Sequence, residues 1–302
     1  MCKMKFIEIL KVILLGIVEG ITEWLPISST GHMKLLNAFW KTSLTNSFME
    51  MFEYVIQLGA IFAVVFLFWK DIFPISINKK PDEKLDSSIS VIKGKFVWRK
   101  DIFSLWLKIL IACLPAVVAL LPDHLFETLC KKHELVEPAL ISFTLILYGI
   151  LFIVIENYKK KTPTITDTTF ISYKTAFLIG CCQILAAIPG TSRSGITILG
   201  ALLLGLDRTT ASKFTFILAI PTMVGASAIK LLKFFLDAGA MSGAEVGYLL
   251  IGAAVAFVVS LVAIKFLMNF VKKHDFKVFG WYRIALGVLV IAAMVIPSLL
   301  FA

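Results

Sequence analysis

Charge is scarce in this chain. Only 17% of its 302 residues are Asp, Glu, Lys or Arg, against about 25% in an ordinary soluble domain. Hydrophobic residues make up 59%, and the mean hydropathy is +0.90. Too few polar side chains remain to cover a water-facing surface, so a soluble globular protein is excluded and the bilayer is the expected solvent. Cysteine is scarce as well. Cys2, Cys113, Cys130, Cys181 and Cys182 are odd in number and lack zinc-type spacing, which argues against a disulfide framework or a zinc module. Most of them fall within apolar runs and read as small apolar residues. The opening MCKMKFIEILKVILLGIVEG has the basic start and apolar core of a secretory signal but no small-residue cleavage site. It is expected to stay attached. Acidic residues number 20 against 30 basic ones, a net charge of +10. The basic excess sits in short loops between apolar runs, as the positive-inside rule expects, so nucleic acid is not an expected partner.

Long apolar runs are what the sequence has in abundance. Phe52–Trp69, Leu105–Leu121, Ala139–Ile155, Phe214–Phe235, Gly247–Met268 and Trp281–Leu300 each approach the roughly 20 residues needed to cross a 30 Å hydrocarbon core. Self-similarity organises them. LPISSTG at Leu25–Gly31 and IPGTSRSG at Ile188–Gly195 are each followed, about 25 residues later, by a related run starting at Phe52 and at Phe214. Two further spans follow in each half. The chain therefore reads as an all-α polytopic membrane protein, a single domain over 1–302 built from two copies at approximately 1–156 and 171–302. One motif segment and three crossings per copy make the second copy inverted relative to the first, the plan of many transporters.

Loop charges extend the topology. Lys70–Asp101, Lys159–Lys174 and Lys272–Lys277 are net positive, whereas Asp123–Glu137 and Asp237–Glu245 are net negative. Placing the positive loops in the cytoplasm gives a consistent alternation only if both motif segments are re-entrant, their tips meeting near mid-bilayer. Lys3, Lys5 and Lys11 run against this orientation. The stretch at 78–100, and Pro81–Lys100 above all, reads as a mobile cytoplasmic loop.

The motif segments carry the chemistry. In EGITEWLPISSTGH, Glu19 and Glu23 are four residues apart and share one helix face; carboxylates at membrane depth mark functional cavities. Pro26 should end that helix near Leu25. Any of Ser28, Ser29 and Thr30 can cap the next helix, whose free N–H groups and positive dipole end suit an anion. His32 lies just inside it. The second segment repeats this grammar, with a Pro-Gly break followed by Thr191, Ser192 and Ser194 around Arg193. Arginine offers a phosphate paired donors in a fixed fork. Two inverted broken helices would aim Arg193, six hydroxyls, a His and two carboxylates at one mid-membrane point. Individually these residues have plainer readings: the glutamates facing a water-filled vestibule, the hydroxyls as caps or packing, Arg193 snorkelling. Arg283, at a span end, reads as an interface anchor. Lys230 and Lys233 read as snorkelling, and His124, His133 and His274 as loop residues without recognisable partners.

These strings resemble the undecaprenyl-diphosphate phosphatases associated with bacitracin resistance. The likeness rests on Glu19 to His32, on Phe52-Glu53-Tyr-Val-Ile-Gln57-Leu-Gly59 and on Pro189 to Gly195, and runs from about Ile9 to the last span. Trp24 stands where the family pattern leads one to expect Phe. The resemblance implies removal of the terminal phosphate of a polyprenyl diphosphate lipid at the outer face of the bacterial plasma membrane, which recycles the carrier of cell-wall synthesis. It also implies a divalent cation, Mg²⁺ or Ca²⁺, and roles for Glu19, Glu23, Ser29, His32 and Arg193.

In the mechanism so implied, Ser29 attacks phosphorus with His32 or Glu23 as base, and Glu19 and Glu23 hold the metal. Ser28, Thr30, Thr191, Ser192 and Ser194 help to bind the phosphates. Water or His32 as nucleophile is an equally physical version. A transporter or flippase for polyprenyl phosphate is the rival reading, since inverted repeats are transporter architecture; it would need Arg193 but no nucleophile with a base. A structural scaffold would not explain the polar residues at membrane depth. A homodimer is one assembly the sequence leaves open.

Overall fold

The computed structural model describes residues 5–40, 42–77, 90–93, 96–132, 135–158 and 162–297. Its helices are α1 (Phe6–Thr22), α2 (Ser29–Phe39), α3 (Asn46–Leu67), α4 (Trp69–Ile72), α5 (Lys100–Lys132), α6 (Val136–Tyr158), α7 (Tyr173–Cys182), α8 (Arg193–Leu203), α9 (Arg208–Ala238), α10 (Gly243–Phe270) and α11 (Lys277–Val290). Six are long and apolar enough to cross a bilayer: α3, α5, α6, α9, α10, and α11 with the π-helical turn that extends it to Val295. They coincide with the six apolar runs of the sequence. At 11 residues each, α2 and α8 span only about 16 Å, half the hydrocarbon core. The chain is a multi-pass membrane protein, and the faces of its spans that carry Phe62, Phe66, Leu110, Leu114, Leu250 and Val262 are bare of protein, ready for lipid.

Small residues set the helix crossings. A Cβ on Gly149 of α6 would lie 2.7 Å from the Gly280 carbonyl oxygen of α11, and a Cβ on Gly280 would lie 2.7 Å from that of Gly149. The backbones meet there without side chains between them, the close approach favoured in membrane interfaces. Gly16 and Gly20 seat α1 on α10 in the same way, and Gly180 seats α7 on Ala112 of α5. Polar locks tie the ends. Glu156, closing α6, accepts both Nε (2.9 Å) and Nη2 (2.7 Å) of Arg208 at the start of α9, and also the Phe276 amide N–H before α11.

Several expectations change here. The described residues of the 78–100 stretch include strands: Ser90–Lys93 (β2) and Phe96–Arg99 (β3) join Ile75–Ile77 (β1) in a small antiparallel sheet in the order β1-β3-β2. Val97 of β3 is buried, as suits a β-branched residue in a strand. The run from Asp123 is not a loop either, because α5 continues to Lys132 and takes in His124. His274 has a partner, stacking on Phe270 with ring centroids 4.6 Å apart, and Lys230 sits over the Tyr54 ring. Cys2, Lys3, His133 and the centre of the 78–100 loop fall outside the described residues.

Candidate active site

Two helix starts face each other, and they are built alike. Ser28 caps α2 with φ 73° and ψ 99°, and its side chain accepts from the Gly31 N–H. Ser192 caps α8 with φ 66° and ψ 110°, and its side chain accepts from the Gly195 N–H at 3.2 Å. Among the described residues these are the only two outside glycine with positive φ. Such backbone costs on the order of 1–3 kcal/mol, offset in part by the cap bond. The same strain at the same place in both motif segments is what the repeated grammar of the sequence produces locally. Of the three hydroxyls able to cap α2, Ser28 does so, which leaves Ser29 and Thr30 in the first turn.

Glu23 lies in the turns between α1 and α2, and its carboxylate joins both segments. Oε2 accepts the Ser29 hydroxyl at 2.8 Å, while Oε1 pairs with Arg193 Nη2, the first residue of α8. The Glu23 backbone carbonyl accepts the Ser194 hydroxyl at 2.9 Å. Arg193 Nη1 donates to Thr222 Oγ1 at 3.1 Å, so α9 aims its fork. Ser192 and Ser194 are 3.3 Å apart through their hydroxyls. Thr191 is buried and Thr30 exposed.

Glu19, one turn before Glu23, is 1% exposed, and its Oε1 has no hydrogen-bond partner. Its charged neighbours are Glu23, Glu53 and Arg193. No group of three His, Cys, Asp or Glu side chains is arranged to hold a metal among the described residues. The orphaned oxygen of Glu19 beside the Glu23 carboxylate does suit a hard cation that completes its shell with phosphate and water.

His32 is not on Ser29. Its Nδ1 is 2.7 Å from the Ser28 carbonyl oxygen, and its Nε2 is 2.7 Å from the Tyr282 hydroxyl. Of the two bases open to Ser29 in the sequence, only Glu23 makes that contact.

Arg283 is corrected more strongly, because it is 0% exposed and anchors nothing at an interface. Its Nη2 donates to the Gly190 and Thr191 carbonyls at 3.0 and 3.1 Å, and its Nη1 to the Pro26 carbonyl at 3.3 Å. One guanidinium thus binds the backbone of both broken segments, as Pro26 and Pro189 make necessary: each break leaves carbonyls without helical donors. The signal was present in the sequence. Phe279, Gly280, Arg283, Leu286, Gly287 and Val290 fall at helical spacing on the buried face of α11, and the glycines mark that face as packed. Tyr282 has no motif around it in the sequence, whereas Glu53, which accepts from Asn37 at 2.9 Å, lies in the Phe52–Gly59 string without a role that spacing alone assigns.

Comparison with known proteins supplies a family. Residues 12–289 match the family model described as bacitracin resistance protein BacA. An undecaprenyl-diphosphatase of Enterococcus faecalis is 56% identical over 95% of this chain and 97% of its own length. Undecaprenyl-diphosphatases of Desulfitobacterium hafniense and Lachnoclostridium phytofermentans are each 53% identical, over 95% of this chain and 96% and 97% of theirs. By a match that takes in both capped helix starts and reaches into the sixth span, the chain belongs to the bacitracin resistance protein BacA family.

Proposed function

We infer that this chain is an undecaprenyl-diphosphate phosphatase, hydrolysing undecaprenyl diphosphate to undecaprenyl phosphate and inorganic phosphate. The observation that carries the reading is the single Glu23 carboxylate held between the Ser29 hydroxyl and the Arg193 guanidinium, where two capped helix N-termini meet. A transporter needs the arginine and the helix ends; a hydroxyl hydrogen-bonded to a carboxylate is the added element that phosphoryl transfer requires.

The chemistry follows from those contacts. The terminal phosphate enters against the N–H groups of α2 and α8, with Ser28, Thr30, Thr191, Ser192 and Ser194 around it. Arg193 turns its fork from Glu23 to the phosphate oxygens, where charge is spread in the transition state. Glu23, released from the arginine, takes the Ser29 proton as Ser29 Oγ forms its bond to phosphorus. The bond from phosphorus to the bridging oxygen breaks, and undecaprenyl phosphate leaves with that oxygen. Water then attacks the serine-bound phosphorus, and Ser29 recovers a proton from Glu23. Glu19, with the Glu23 oxygen that does not face Ser29, would hold a divalent cation, Mg²⁺ or Ca²⁺, which would supply charge to neutralise phosphate oxygens. The isoprenoid tail stays in lipid between the spans, so no enclosed tail pocket is needed.

The site opens to the outer face of the bacterial plasma membrane in this reading, supported by the alternation of basic and acidic loops. Activity there recycles the lipid carrier of cell-wall synthesis and confers resistance to bacitracin. The test is phosphate release from undecaprenyl diphosphate by detergent-purified protein, with Mg²⁺ or Ca²⁺ and with chelator. Metal-dependent release abolished in Ser29→Ala and Arg193→Ala is the expected result. Folded wild-type protein that binds the lipid but releases no phosphate would sink the reading.

A further inference from the structure

The His32 ring is held by both nitrogens, and the two contacts differ in kind. A carbonyl oxygen only accepts, so the 2.7 Å contact from Nδ1 to the Ser28 carbonyl requires the hydrogen to be on Nδ1. In the neutral ring Nε2 is then a bare lone pair. The group facing it, at 2.7 Å, is the Tyr282 hydroxyl, which can donate. The Tyr282 and His32 rings lie within 9° of parallel, with centroids 5.6 Å apart.

The placement of these partners gives the arrangement its meaning. Ser28 is the strained cap of α2, one turn before His32, so the imidazole is fastened to the backbone that forms the phosphate-facing N–H fan. Tyr282 comes from α11, next to Arg283, which clamps the carbonyls of both broken segments. Two consecutive residues of one span therefore divide the work: Arg283 holds the loops from within, and Tyr282 holds the histidine from the open side, where it is 46% exposed. A side chain kept only for packing would not need its hydroxyl directed at a ring nitrogen.

We propose that Tyr282 is a positioning residue for His32: the Ser28 carbonyl sets the Nδ1–H tautomer, and the Tyr282 hydroxyl holds the ring in place through Nε2, the basic atom of the site. The consequence rests on the phosphatase reading. When phosphate enters and the Tyr282 hydroxyl yields Nε2, that nitrogen accepts one proton from the water that attacks the serine-bound phosphorus. The water oxygen forms the new bond to phosphorus, the bond from Ser29 Oγ to phosphorus breaks, and Glu23 returns its proton to Oγ. The histidine proton passes to solvent.

The test joins a spectrum to kinetics. Full-length protein labelled with ¹⁵N-histidine is measured in detergent, the His32 signals being identified by their loss in His32→Gln. Wild type is expected to show an unprotonated, hydrogen-bonded Nε2, and Tyr282→Phe an Nε2 signal shifted by the loss of that hydrogen bond. In the same variant kcat for undecaprenyl diphosphate should fall on the order of 10-fold, the scale seen when a partner that orients a functional histidine is removed, with KM changed less than about 2-fold because phosphate binding is untouched. A wild-type ring protonated on Nε2 overturns the proposal without any variant, and so does an unmoved Nε2 signal or unchanged kcat in folded Tyr282→Phe. Wild-type protein with the expected tautomer but no phosphate release would defeat the phosphatase reading and leave the positioning of His32 standing.

Discussion

Glu23 and Arg193 form an ion pair across 170 residues of sequence, joining the turns after α1 to the first residue of α8. Each is largely withdrawn from solvent, with side-chain exposures of 9% and 19%. Without substrate, each therefore neutralises a charge that would otherwise stand alone at membrane depth, where an unpaired ion costs several kcal/mol.

Removing either partner should therefore do more than remove one contact. Arg193→Ala is expected to lower kcat/KM by about 10³-fold or more, the scale of a lost phosphate-neutralising arginine. Arg193→Lys should recover little, since a point charge cannot replace the fork. In a double-mutant cycle Arg193→Ala with Glu23→Gln should lose less than the product of the single losses. Phosphate release across the four proteins measures this, and strict multiplicativity would show that the pair does not act as a unit.

Adjacent serines should separate catalysis from stability. Ser29→Ala removes the hydroxyl held by Glu23 and should cost about 10²–10⁴-fold in rate with little change in melting temperature, because the cap bond of α2 is made by Ser28. Ser28→Ala keeps the strained backbone and loses the cap, and should cost about 1 kcal/mol of stability. Thermal unfolding in detergent beside the rate assay decides between the two behaviours.

Arg283→Met should be among the most destabilising single changes in the chain. The Pro26, Gly190 and Thr191 carbonyls would each lose their guanidinium donor inside the protein, at about 1–3 kcal/mol for a stranded group. Unfolding by heat or protease susceptibility should show a loss of about 3 kcal/mol or more. A melting temperature equal to wild type would mean that the broken segments are held by other contacts.

Gly149→Leu and Gly280→Leu should each separate α6 from α11, because a Cβ at either position meets the other's carbonyl oxygen at 2.7 Å. Overpacking of this kind costs about 1–3 kcal/mol. The site should suffer too, since α11 carries both Tyr282 and Arg283. Gly225, whose Cβ would meet nothing within 4 Å, is the control expected to accept alanine.

Much of this molecule is written in local patterns. Six apolar runs of bilayer length determined the six spans, because a chain in lipid must satisfy its backbone internally and only helices do so segment by segment. The proline breaks followed by clustered hydroxyls determined two interrupted helices and their caps. Glu19, Glu23, Ser29 and Arg193 stood out as costly residues in an apolar setting.

What tertiary structure decided are the pairings, which depend on distances no local pattern encodes. Ser29 meets Glu23 rather than its i+3 neighbour His32, because the Ser28 carbonyl and the Tyr282 hydroxyl take both nitrogens of the histidine. Arg283 looked like an anchor at a span end, yet helix packing drew it to the centre, where unpaired carbonyls of two segments needed one donor. The strand at Phe96–Arg99, within a charged stretch, pairs with Ile75–Ile77 and Ser90–Lys93. Local chemistry specified which groups the site contains; packing of α6, α9 and α11 specified which of them touch.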